Sequence, residues 1–224
     1  MEPFSDYGGC EASGQSFSYF TVLTYWGIAF YFLFASIHTF TYARHGTPAL
    51  NRWPRLLQVL HSFLYTTIIN FPFLVTIVFW TVIYQGPWYT RKYDAWSNIS
   101  QHAMNSLFAL FEAFIPRTNP RPWIHLPFII LILALYLGLA YLTKATQGIY
   151  VYNFLNPAQG AGKTAGYILG IAVGIVVVFL IMKGLMWVRK WLTETKMGRT
   201  GKFYGGRSLG HGDVELEAVR MWEK

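Results

Sequence analysis

Five side chains between positions 98 and 112 could do chemistry together. Asn98, Gln101, His102, Asn105 and Glu112 recur at three- and four-residue spacing, which on a helix forms one stripe. Ala103, Leu107, Leu110 and Phe114 fall on the opposite side. The surrounding stretch, 97–115, reads as a membrane helix. Polar groups in a bilayer are costly unless they face a protein interior or a wet cavity, where they often mark function. His102 can accept a proton from a hydroxyl or from water, and Gln101 and Asn105 can donate hydrogen bonds to a developing negative charge.

A base needs a nucleophile at its own depth. The first apolar segment begins Ser18-Tyr19-Phe20-Thr21-Val22-Leu23-Thr24. If it and the polar helix start from the same side of the membrane, Thr21 lies level with His102 and Thr24 one turn deeper. That permits a hydroxyl–imidazole pair. First-turn threonines also cap helices, and a buried histidine can simply hold two helices together, so both readings stay open on the residues alone. Glu112 lies about 15 Å along the helix from His102, too far to orient it.

The elements that must position these groups are membrane spans. Of 224 residues, 54% are hydrophobic and 12% charged; soluble domains carry about 25% charged residues. Aromatic residues reach 19%, as expected for rings at membrane interfaces. Five segments are long enough to cross about 30 Å of hydrocarbon: 19–40, 56–84, 97–115, 123–143 and 164–189. The fold class is all-α, an integral membrane helical bundle of about five transmembrane helices. Pro72 predicts a kink in the second, with Asn70 placed to satisfy a freed backbone group. Arg44, Arg52, Arg55, Arg117, Arg121 and the basic tail fall on one side, which the positive-inside rule puts in the cytosol. The N-terminus is then lumenal or extracellular and the C-terminus cytosolic. Residues 1–18 form a polar lumenal segment, 19–190 the transmembrane domain, and 191–224 a basic, disordered cytosolic tail. The acidic start lacks the basic flank of a cleaved signal peptide, so the first apolar run is expected to remain as a helix. Segment 144–163 reads as an interfacial or re-entrant loop.

Other features narrow the function. The net charge of +8 is not gathered on a soluble face, which argues for anionic lipid over nucleic acid. The single cysteine, Cys10, excludes an internal disulfide and C-x-x-C sites. Gly160-Ala161-Gly162-Lys163-Thr164 lacks the first glycine of a phosphate loop, where this chain has Pro157. Asn98-Ile99-Ser100 is a glycosylation sequon too close to the membrane for ready modification. His38, His61 and His125 fall near the cytosolic helix ends and could meet on a metal or haem, but no i,i+4 pair supports that over interfacial roles. No cofactor and no metal is expected. A non-enzymatic transporter or receptor-like bundle is the alternative class, with the stripe lining a polar pathway; no inverted repeat supports it.

Four local motifs carry a family resemblance. Tyr19-Phe20-Thr21, Phe71-Pro72 with Val78-Phe79-Trp80, Gln101-His102-Ala103-Met104-Asn105-Ser106, and Thr146-Gln147-Gly148-Ile149-Tyr150-Val151-Tyr152-Asn153-Phe154-Leu155 occur in order across about residues 19–190. They resemble the androgen-induced-protein family of multi-pass membrane threonine hydrolases. The family pattern has Asn where this chain has Gln101, and a second His where it has Asn105. The resemblance implies Thr21 as nucleophile and His102 as general base. It implies a lipid ester drawn from the bilayer as substrate, such as a fatty acid ester of a hydroxy fatty acid. It also points to the endoplasmic reticulum or another endomembrane, with the plasma membrane as the other option. Gln101, Asn105, Thr24 and loop amides are the candidate oxyanion donors.

Overall fold

Long apolar stretches ended by glycine or basic residues become the helices of this chain. The computed structural model describes residues 14–199. Its helices are α1 (Phe20–His45), α2 (Arg55–Val78), α3 (Lys92–Ile99), α4 (Asn105–Phe114), α5 (His125–Gln147) and α6 (Ala161–Lys190). Three π-helical turns extend or join them, at Phe79–Ile83, Ser100–Met104 and Trp191–Lys196. The second of these links α3 and α4 into one rod, so the bundle has five rods and, among the described residues, no strand.

Glycine sets two of the ends. Gly46 and Gly148 take the left-handed conformation that stops α1 and α5, each returning its N–H to the carbonyl four residues back. These stops put the ends of both helices several residues beyond the expected 40 and 143. The last helix also passes the expected limit of 190, running through its π turn to Lys196. The N-terminal segment before residue 14 and the tail beyond 199 lie outside the described residues.

Four rods are long and apolar enough to cross a membrane: Phe20–His45, Arg55–Ile83, His125–Gln147 and Ala161–Lys196, with mean hydropathies of 1.6, 1.9, 2.3 and 2.7. The α3–α4 rod does not join them, because its π turn and polar stripe break the apolar run. The stripe nevertheless faces inward as its spacing predicts. His102, Asn105 and Glu112 are buried, while Leu107 and Phe114 are exposed.

Helix α2 is the central post. It packs on α1, α4, α5 and α6, and 50% of its most apolar stretch is buried, against 17–22% in the other three long rods. Trp26, Phe30, Leu33, Leu135 and Leu169 instead point outward, the arrangement of a bundle whose outer face meets hydrocarbon. Pro72 sits inside α2, but Asn70 does not serve the Ile68 carbonyl, the one that Pro72 leaves without an N–H partner. The Asn70 amide donates to the Thr66 carbonyl at 2.7 Å. Ser106 on α4 donates to the Pro72 carbonyl at 3.1 Å and shares a 2.7 Å hydrogen bond with Thr76, tying the polar rod to the post.

One end of the bundle is knit by cations. Arg189 donates to the carbonyls of Pro116 and Thr118, Lys183 to that of Arg121, and Lys190 to Asn119 Oδ1 at 2.7 Å. The loop joining α4 to α5 is thereby fastened to α6. The opposite end, where α1 begins, holds the loop between α5 and α6. This loop folds back on the helices, with Val151 and Leu155 in a small apolar core with Ala140.

Candidate active site

Thr21 owes its position to a tyrosine on another helix. It is the second residue of α1, and the residue before the helix, Tyr19, makes no side-chain cap. The open N-terminus is served instead by Tyr136 of α5. Its hydroxyl accepts from the Phe20 N–H at 3.0 Å and donates to the Ser18 carbonyl at 2.8 Å. Phe20 packs edge-on against Phe71 and tilted against Tyr136, with centroids 5.0 and 4.8 Å away. Thr21 therefore does not cap the helix, and its side chain is buried at the wall of a cavity.

His102 lies in the π turn between α3 and α4. Such single wide turns are uncommon and often occur at functional positions, because they re-aim side chains. The imidazole stacks on Phe79, with centroids 3.6 Å apart and planes 3° from parallel. Phe79 opens the other π turn facing it. Trp80 Nε1 donates to the His102 carbonyl at 3.2 Å, and Tyr25 on α1 shares a 2.6 Å hydrogen bond with Ser100. The second contact sets α1 against the histidine's turn, one helical turn below Thr21. His102 Nδ1 is buried and has no hydrogen-bond partner among the described residues. Aromatic stacking, not a carboxylate, fixes the ring.

Thr21, Gln101 and His102 line one cavity of about 1120 Å³ at this end of the bundle. No hydrogen bond joins Thr21 to His102 among the described residues, so a bound molecule or water must complete any proton path between them. Catalytic contacts are often long before substrate binds. A second cavity of about 210 Å³ also reaches Thr21, and Leu74, Val75, Leu133 and Ile171 make it almost wholly apolar. Ile83, Tyr152 and Phe154 border both spaces.

Sequence reasoning gave no role to Tyr152, Phe79 or Tyr136. The Tyr152 phenol lies in polar contact with the Thr21 side chain, the first-turn N–H groups of α1 and the Tyr136 phenol. Burial pushes its pKa up, while these hydrogen-bonding groups oppose the rise. The signal was present, because Tyr152 and Phe79 stand in two of the resemblance motifs. Nothing in their spacing revealed contact with Thr21 or His102.

Two candidate donors lie elsewhere. Thr24 bonds its own helix, to the Thr21 carbonyl at 2.9 Å, and faces an apolar groove with Leu64 and Ile132. Asn105 is fully buried behind the cavity wall, its amide donating to the Gln101 carbonyl at 3.3 Å and its Oδ1 unpartnered. Gln101 keeps its place on the wall, its amide donating to Ser97 Oγ at 2.9 Å. Asn98 also lines the cavity. Glu112 belongs to a separate contact, accepting from Tyr31 at 2.8 Å, while Lys144 bonds the Gly148 carbonyl.

The three histidines of the other end do not converge. His38 and His61 meet edge to face, 5.1 Å apart, beside Trp53. His125 instead bonds Thr66 through Nδ1 at 2.5 Å and stacks near Phe63. Among the described residues no group of three or more histidine, cysteine or acidic side chains could hold a metal ion.

No curated protein and no solved structure gives a significant match to the chain. A family profile, described as FAR-17a/AIG1-like protein, matches residues 2–188. That span includes Thr21, the π turns at Phe79–Ile83 and Ser100–Met104, and the folded-back loop, and it places the chain in the FAR-17a/AIG1-like family of membrane proteins.

Proposed function

We propose that the protein is an intramembrane lipid-ester hydrolase, with Thr21 as nucleophile and His102 as general base. The observation that carries this reading is that both side chains line one cavity, at the point where an apolar cavity opens beside Thr21. Fatty acid esters of hydroxy fatty acids, the substrates implied by the family resemblance, suit two such spaces. They partition into the bilayer and carry one purely apolar arm and one arm ending in a carboxylate.

The steps follow from the groups present. His102 takes the Thr21 hydroxyl proton as Oγ bonds to the ester carbonyl carbon. The C–O bond to the alcohol half breaks, and the leaving alkoxide receives that proton from His102. Water then gives a proton to His102 and its oxygen to the acyl carbon; the Thr21 ester breaks, Thr21 Oγ takes that proton from His102, and the fatty acid leaves. The charge on the carbonyl oxygen needs donors. The Tyr152 phenol, in contact with Thr21, is the favoured one, and Gln101 is available if it releases Ser97.

The stripe gives less support to conduction. It is open only near His102; Asn105 is fully buried below it, and Glu112 is bonded to Tyr31. The basic loops gather at the end away from the cavity, so the positive-inside rule favours a site facing the lumen or exterior. An endomembrane location, the endoplasmic reticulum first, is part of the same reading.

Labelling with a fluorophosphonate probe in native membranes tests the proposal. Labelling should vanish in Thr21→Ala and His102→Ala and persist at a reduced rate in Thr21→Ser. Full labelling and ester turnover by a folded Thr21→Ala variant would remove the mechanism.

A further inference from the structure

The two cavities that meet at Thr21 differ in what they can hold. The smaller has almost no polar wall and cannot take a charge, because nothing there would replace its hydration. The larger is lined by tyrosines and amides, and Lys163 is its one side chain of permanent charge among the described residues. Lys163 makes no ion pair or hydrogen bond with any described residue, whereas Lys144, Lys183 and Lys190 all donate to named acceptors.

Local geometry sets this lysine in place. It is the third residue of α6, whose first-turn N–H groups favour an anion. Gly160, at φ 120°, lies beside its stem; a Cβ there would stand 3.7 Å from Lys163 Cγ and Cδ. The stem therefore runs along the turn that closes the folded-back loop.

Building on the hydrolase reading above, we propose that Lys163 is a specificity-determining residue, which holds the free carboxylate on the alcohol half of an ester while the acyl chain occupies the apolar cavity. One substrate then spans Thr21, its hydrocarbon arm on one side and its anionic arm on the other. The carboxylate enters no bond that forms or breaks. It forms a charge-assisted hydrogen bond that selects acidic lipids and orients the scissile carbonyl.

The test compares two substrates, a fatty acid ester of a hydroxy fatty acid and the methyl ester of that same molecule, with full-length protein in membranes. Wild type should favour the free acid by about tenfold in kcat/KM, the range of one charge-assisted hydrogen bond. Lys163→Gln should lose that preference, falling about tenfold on the free acid, chiefly in KM, with the methyl ester unchanged, and Lys163→Arg should retain it. Fluorophosphonate labelling, which needs no carboxylate, should keep its wild-type rate in Lys163→Gln. Equal loss on both substrates, unchanged turnover of the free acid, or loss of labelling would each overturn the assignment. If wild type hydrolyses neither ester, the hydrolase reading fails first and this assignment falls with it.

Discussion

The imidazole of His102 lies flat on the phenyl ring of Phe79, their centroids 3.6 Å apart. Serine-hydrolase histidines are usually oriented by a hydrogen bond to the ring nitrogen away from the nucleophile. Here that nitrogen's counterpart, Nδ1, is buried without a partner among the described residues. The flat contact therefore carries the orienting role. Phe79→Leu keeps an apolar side chain but removes the planar face, and it should slow fluorophosphonate labelling about tenfold, as a mispositioned base would. Helix content measured by circular dichroism should not change. A wild-type labelling rate would assign the orientation to the backbone of the π turn instead.

Tyr136 makes a second positional prediction. Its hydroxyl joins the Phe20 N–H to the Ser18 carbonyl, so one oxygen fixes the start of α1 from α5. Tyr136→Phe keeps the ring packing on Phe20 and deletes only that oxygen. Loss of two hydrogen bonds should lower thermal stability in detergent by about 1–3 kcal/mol. Labelling at Thr21 should fall by more than the folded fraction does, because the helix start would no longer be held.

How much of this was legible in the sequence depended on distance along the chain. Helical spacing correctly placed His102, Asn105 and Glu112 on an inward face, since neighbours three and four residues apart share a side whatever the fold. The same logic could not tell that the π turn at Ser100–Met104 would leave Gln101 on the cavity wall and Asn105 behind it. A π turn adds a residue to one turn and shifts the register below it. Thr24 was misplaced for a related reason: it sits one turn from Thr21, yet three residues rotate it toward a different groove. The contacts of Tyr136 and Tyr152 with the start of α1 could not be read from spacing, because both residues lie more than a hundred positions away, one on α5 and the other on a loop whose return path no local pattern encodes.

Arg189 offers a test of the bundle's other end. It is buried, donates to the carbonyls of Pro116 and Thr118, and has no carboxylate against it at hydrogen-bonding distance among the described residues. Arg189→Met keeps most of the stem but leaves two carbonyls without their charged donor. The expected cost is about 2–4 kcal/mol, read as a lower melting temperature in detergent. Labelling per folded molecule should stay at the wild-type level, because this clamp lies at the end of the bundle away from Thr21 and His102.

Tyr152 makes the last prediction, on pH. Burial raises its pKa above the ordinary phenol value of about 10, so the neutral donor persists at alkaline pH. If its O–H stabilises the oxyanion, Tyr152→Phe should reduce kcat by about 10²-fold, as removal of one such donor does elsewhere. In wild type, kcat should hold past pH 10 and decline only when the phenol ionises, since a phenolate beside Thr21 would repel the developing charge. Stability must be followed in parallel. A group that binds its proton more tightly when folded stabilises the fold fully below its unfolded pKa, and this contribution is lost as pH rises through the folded value. Rates are therefore compared only where the detergent melt of wild type is intact. A Tyr152→Phe enzyme with unchanged kcat and an identical alkaline limb would exclude the phenol and leave Gln101 as the cavity donor.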